Sequence, residues 1–206
     1  MNNKVVNTIT LYHGTSKKLN VVKANSINYG TVVSKPRYSS FWVDSQNKNF
    51  AKIFAIVSLL MDYQMKKGVE IPLMFAVENE TMYRDKLIID NHYRKIVTSM
   101  LNKGSCYLCQ KTIDKSLVGY GHVANIPEYT IDFDVKPDKI ITLYYKDFKD
   151  IICFEPTEHI LDLRSKMDSF KYNTKFNGNN MRRLILLNDS GMQKREKIIN
   201  KYLSNL

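Results

Sequence analysis

The stretch TLYHGTSKKL, residues 10–19, decides how this chain is read. Residues 5–12, VVNTITLY, are β-branched or aromatic with partial alternation, which predicts a strand. That strand runs into Tyr12-His13-Gly14-Thr15, so a titratable imidazole and a residue without a side chain stand where it should end. Beyond them residues 16–38 are rich in Lys, Asn and Ser with Gly30 and Pro36, which predicts a short helix and a long loop. Long loops inside compact domains commonly carry function.

Residues 39–43, SSFWV, predict a brief strand stopped by Asp44-Ser45. The clearest helix follows over 47–66, where Phe50, Ile53, Phe54, Val57, Leu60 and Met61 recur at three and four residues and Lys66-Lys67-Gly68 supplies a C-terminal stop. The apolar run 71–77, IPLMFAV, predicts a buried central strand, and residues 91–117 predict an irregular helix interrupted at Gly104. Gly119-Tyr-Gly121 reads as a flexible turn. In 128–135, EYTIDFDV, Tyr129, Ile131, Phe133 and Val135 alternate with Glu128, Thr130, Asp132 and Asp134, the pattern of a half-buried strand. A second strand over 139–145 follows Lys136-Pro137-Asp138, which predicts a hairpin or a closely adjacent pair. After residue 150 the character changes: Leu161, Leu163 and Met167 predict a helix, 171–180 a polar loop, and 192–206 a basic helix.

The chain has 206 residues, 44% hydrophobic and 25% charged, a balance that suits one main core with at most a small appendage. No run approaches the ~18 consecutive apolar residues that span a bilayer. The N-terminus lacks the apolar segment and cleavage site of a signal peptide, so action in a cytosol without a membrane partner is expected. Three cysteines, Cys106, Cys109 and Cys153, are too few and odd in number for a disulfide framework. Cys106 and Cys109 form a C-x-x-C that no second pair answers, so no metal site is predicted and the two are expected on one buried helical face. The formal charge of +11 permits attraction to nucleic acid or to an acidic protein, but the lysines are dispersed and name neither.

Three motifs then stand in order: a strand ending in His13-Gly14-Thr15, a strand with Phe41-Trp42 ahead of Asp44 and a long helix, and a strand opening at Glu128-Tyr129. The arrangement resembles the ADP-ribosyltransferase superfamily, in its His-Tyr-Glu branch with diphtheria toxin and the poly(ADP-ribose) polymerases. In that branch the first strand ends in Y-H-G-T or W-H-G-S, matched by LYHGT. A second strand carries an aromatic and an acidic residue ahead of a helix, matched by SSFWVDSQNKNFAKIFA, and the catalytic glutamate opens a strand written E-Y-I, matched by IPEYTIDFDV. The resemblance covers residues 8–145. It implies an α+β fold with a split, mostly antiparallel sheet core and flanking helices, and the change of character after residue 150 divides the chain into an expected catalytic body over 1–150 and a basic helical extension over 151–206.

The resemblance also implies roles. NAD carries a cationic nicotinamide, and breaking its glycosidic bond leaves an oxocarbenium-like ribose that a carboxylate stabilises. Glu128 takes that part. Phe41 offers a ring face to the cation, worth about 0.5–2 kcal/mol, with Phe54 opposite. His13 meets a ribose hydroxyl, Gly14 lets the nicotinamide amide reach the backbone, and Thr15 adds a hydroxyl. Lys35 and Arg37 flank the site as candidates for phosphate or target. The branch has tyrosine where Phe41 stands, so a phenol hydroxyl is missing, and Trp42 is expected in the core by alternation. Arginine-modifying relatives carry Glu or Gln two residues before the catalytic glutamate, where Ile126 stands, so arginine is not the expected acceptor. The expected function is NAD-dependent mono-ADP-ribosyl transfer to a macromolecule, protein favoured over nucleic acid, as in a toxin or viral effector. An NAD glycohydrolase and an inactive basic binding module are the alternatives.

Overall fold

The computed structural model of the chain describes residues 7–27, 37–76, 86–123 and 126–163. Along them run β1 (Thr8–Thr15), β2 (Asn25–Ile27), β3 (Arg37–Asp44), α1 (Lys48–Lys67), β4 (Leu73–Ala76), β5 (Lys86–Asp90), α2 (Arg94–Asn102), β6 (Cys106–Asp114), β7 (Gly119–Val123), β8 (Ile126–Ile131), β9 (Lys139–Leu143) and β10 (Ile152–Glu155). The fold is α+β. A seven-stranded antiparallel sheet has the order β7-β8-β3-β1-β6-β9, with β2 added on β3, and a three-stranded sheet has the order β10-β5-β4 with β10 and β5 parallel. No helix among the described residues is long and apolar enough to cross a membrane.

Alternation along β1 assigns its two faces. Leu11 enters a core with Trp42, Cys109, Ile113, Ile131, Phe133 and Val135, while Tyr12 turns toward the core formed under α1. Helix α1 lies on that second face, burying Phe50, Ala51, Ile53, Ala55, Ile56 and Leu60. The buried stripe is rotated from the expected one: Phe54 and Met61 are exposed, because the small residues Ala51 and Ala55 take the place against β1. The helix stops where expected, at Gly68 with φ 64° and its N–H on Gln64 O at 2.8 Å.

Several expectations are corrected. Residues 16–27 hold no helix; a bridge pairs Val22 with Val135, and β2 follows. β4 stands at an edge of the small sheet rather than at a centre. Of 91–117 only α2 and two single turns are helical, for Gly104 with φ 67° ends the helix and CYLCQKTID becomes β6, which pairs β1 over eight residues. Cys106 and Cys109, three apart on a strand, therefore face opposite cores. Gly119-Tyr-Gly121 belongs to β7. β8 and β9 form no hairpin: β9 crosses to the far edge and pairs β6. Within 151–163, β10 pairs β5 and Ile151 and Ile152 enter the α1 core, after which a helix begins at Thr157. The readings for 171–180 and 192–206 lie outside the described residues.

Candidate functional site

The β1–β3 ladder is short. β1 stays paired with β6 from Thr8 to Thr15, yet it meets β3 only at Leu11↔Asp44 and Tyr12↔Val43. Past Tyr12 the two strands part, and β3 carries on beside β8 through Trp42↔Tyr129, Phe41↔Thr130 and Ser40↔Ile131. A side-chain hydrogen bond spans the opening, from His13 Nδ1 to Phe41 O at 2.8 Å. A carbonyl can only accept, so Nδ1 carries the proton and the neutral ring keeps its lone pair on Nε2. Burial holds the His13 imidazole below its ordinary pKa, with the bond to Phe41 acting the other way. Its ring lies 5.4 Å from that of Trp42, which is buried as expected and donates Nε1–H to Ser40 Oγ at 2.7 Å.

Gly14 faces α1. A Cβ there would stand 1.6 Å from Ala51 O and 2.9 Å from Ala55 N, so the glycine is required by helix packing, independently of any ligand. Thr15 is buried, and its Oγ1 accepts from Lys17 N at 3.1 Å in a local turn.

Glu128 departs from the alternation that predicted it. Ile131, Phe133 and Val135 are buried and Asp132 and Asp134 exposed, but Glu128 is only 5% exposed. Tyr129 and Ile131 pack into the Trp42 core, so Glu128 and Thr130 point to the opposite face, the one on which α1 packs against β1, β6 and β3. Phe41, paired with Thr130 and lying between Ser40 and Trp42, points to that face as well, as does Gly14. Among the described residues Glu128 has no hydrogen-bond or ion-pair partner, and burial pushes its carboxyl up to about 7. A buried carboxylic acid without a partner is costly, and such groups concentrate at sites of chemistry.

Phe54 is 39% exposed and sits between Ala51, which touches Gly14, and Ser58, which bonds Ser16 just past β1. The structure thus brings Gly14, Phe41, Glu128 and the α1 face carrying Phe54 to one side of the sheet. His13 lies with Trp42 on the other, reaching across the opening. Arg37 opens β3 opposite Ile27, and its side chain, like Lys35, lies outside the described residues.

Two features were missed. Ser16 Oγ donates to Asp62 Oδ2 at 3.0 Å and meets Ser58 Oγ at 2.9 Å, a polar cluster where β1 leaves the sheet. Its signal was Ser58 and Asp62, four apart inside an apolar helix. Asp44 receives Asn47 N and Nδ2 at 3.0 and 2.9 Å and Tyr129 O–H at 3.5 Å, tying the start of α1 to the strand that carries Glu128. Comparison with family models, curated proteins and solved structures finds no match to this chain.

Proposed function

We propose that this chain is an NAD-dependent mono-ADP-ribosyltransferase acting on a macromolecule, with a protein acceptor favoured. The observation that carries the reading is Glu128: a buried carboxyl without a partner among the described residues, on the face shared by Phe41 and Gly14, beside the point where β1 and β3 part. That parting supports the split sheet implied by the resemblance. A carboxylate there stabilises the positive charge that grows on the ribose as nicotinamide leaves, and its low-dielectric surroundings strengthen the effect. Phe41 and Phe54 supply aromatic faces for the cationic ring. The neutral His13, with Nε2 as an acceptor, is suited to a ribose hydroxyl rather than to an anion.

Labelled NAD incubated with a cell lysate and either the wild type or Glu128→Gln tests the reading. The wild type is expected to release nicotinamide and to leave label that resists nuclease and yields to protease, and the variant to lose both. The opposite digestion pattern moves the acceptor to nucleic acid, and nicotinamide release without labelled macromolecule makes the protein a glycohydrolase. Equal, negligible release from both proteins removes the enzyme reading.

A further inference from the structure

The end of β1 is held to α1 by two contacts of different kinds. Gly14 meets the helix backbone at Ala51 and Ala55, with no side chain of its own in between. Two residues on, Ser16 Oγ lies 2.9 Å from Ser58 Oγ and 3.0 Å from Asp62 Oδ2. Positions 51, 55, 58 and 62 follow one another at four, three and four residues, so they form a single stripe along the helix. Phe54, three residues after Ala51 and four before Ser58, flanks that stripe.

The direction of the bonds follows from the donors. A carboxylate only accepts, so the one hydroxyl proton of Ser16 goes to Asp62, and the Ser58 hydroxyl donates to Ser16. The result is a chain from Ser58 through Ser16 to Asp62 that ends on a charged acceptor, the stronger kind of hydrogen bond. Lys17 Nζ stands 4.0 Å from the same carboxylate oxygen, but its side chain is 72% exposed and the pair adds little.

A bare backbone contact such as Gly14 on Ala51 limits how near strand and helix come, yet it does not stop one from sliding or turning on the other. The hydroxyl chain does, because its bonds are directional. It also acts where no ladder does. Pairing of β1 with β3 ends at Tyr12 and with β6 at Thr15, so Ser16 is the first residue past the sheet. Serine and aspartate are poor choices for the middle of a helix on propensity alone, and here both are spent on that one residue.

We propose that Ser16 and Asp62 are positioning residues: through this chain they fix the separation between the Gly14 peptide, which takes the nicotinamide amide, and the Phe54 ring, which takes the nicotinamide face. This rests on the transferase reading. Neither side chain has to touch the dinucleotide. Breaking the chain therefore weakens the hold on nicotinamide and spares the hold on ADP-ribose, the other half of the substrate.

Nicotinamide and ADP-ribose, added separately as inhibitors of release from NAD labelled in its nicotinamide, read the two halves apart. Ser16→Ala is expected to raise the KM for NAD and the half-inhibiting nicotinamide concentration together, by about tenfold. Its kcat should stay within about threefold of wild type and its inhibition by ADP-ribose within about twofold. Asp62→Ala should match it, while Ser16→Thr, which keeps the hydroxyl, and Asp62→Asn, which keeps an acceptor, should behave as wild type. Unmoved inhibition by nicotinamide in Ser16→Ala overturns the proposal. Equal weakening of nicotinamide and ADP-ribose also overturns it, assigning the chain to the fold as a whole. An Asp62→Asn variant as impaired as Asp62→Ala does the same, since it puts the charge on the ligand itself. Should Ser16→Ala fail to fold, Ser58→Ala carries the test: alanine suits the helix and removes one bond of the chain. Nicotinamide must then inhibit about threefold more weakly with ADP-ribose unmoved, and wild-type inhibition by both overturns the proposal. A wild-type chain that releases no nicotinamide overturns the transferase reading, a separate outcome.

Discussion

A carboxylic acid that is 5% exposed and pushed up to about 7 holds its proton more tightly in the folded chain than in the unfolded one, where 4.5 is ordinary. Between pH 4.5 and about 7 the folded state thus carries more protons, and stability falls as pH rises through that window. The rise corresponds to about 3 kcal/mol, fully expressed above pH 7 and absent below 4.5. Glu128→Gln is neutral at every pH, so its melting temperature should exceed that of wild type at pH 8 and converge with it near pH 5. A gap that does not change with pH would mean that ionisation of Glu128 costs the fold nothing. Activity should move the other way, with nicotinamide release by wild type climbing through about pH 7 as the carboxylate forms and the Gln variant inactive throughout. The identity of Glu128 was legible from the motif around it, but its environment was not. Alternation with Ile131, Phe133 and Val135 assigns Glu128 to an outer face, and nothing local to that strand reveals that the same face of the sheet carries α1, packed on β1, β6 and β3.

At the scale of elements, α1 and β1 are in contact through backbone. A methyl group at residue 14 would meet Ala51 O at 1.6 Å, and since the obstacle is main chain, no side-chain rotation relieves it. Gly14→Ala must lift the helix from the strand, at a cost of about 1–3 kcal/mol or more. Urea unfolding should show the lower midpoint, and NAD-dependent labelling should fall with it because Phe54 moves with α1. An unchanged midpoint would mean that the helix backs away freely. Helix α1 itself was plain in the sequence because its apolar period, last-turn lysines and Gly68 agree. The stretch 106–114 misled because Cys106, Leu108, Cys109 and Ile113 are all buried, as a strand between two cores requires, and such a run has no clean period of two. Gly119 and Gly121 imitated a turn for a related reason. A Cβ at Gly119 would meet Thr130 Oγ1 at 2.5 Å, so glycine there answers a cross-strand neighbour that only the folded chain supplies.

Across the whole molecule, one core joins the two sheets. Val43, Leu108 and Leu143 of the large sheet pack with Leu87, Ile89 and Ile152 of the small one around α1 and α2. Local periodicity could not reveal this, since the parallel pairing of β5 with β10 connects residues more than sixty apart and each strand alone reads only as apolar. Shared burial implies shared stability: removing volume on one sheet should loosen the other. Ile89, fully buried on β5, is the place to test it, because Ile89→Ala should cost about 2–5 kcal/mol. The only tryptophan, Trp42, reports from the opposite core on β3. In the full chain carrying Ile89→Ala, tryptophan fluorescence and far-ultraviolet circular dichroism should therefore shift together to one lower midpoint. If fluorescence keeps its wild-type midpoint while the dichroism moves, the sheets unfold as separate units, and the site on the large sheet owes nothing to the small one.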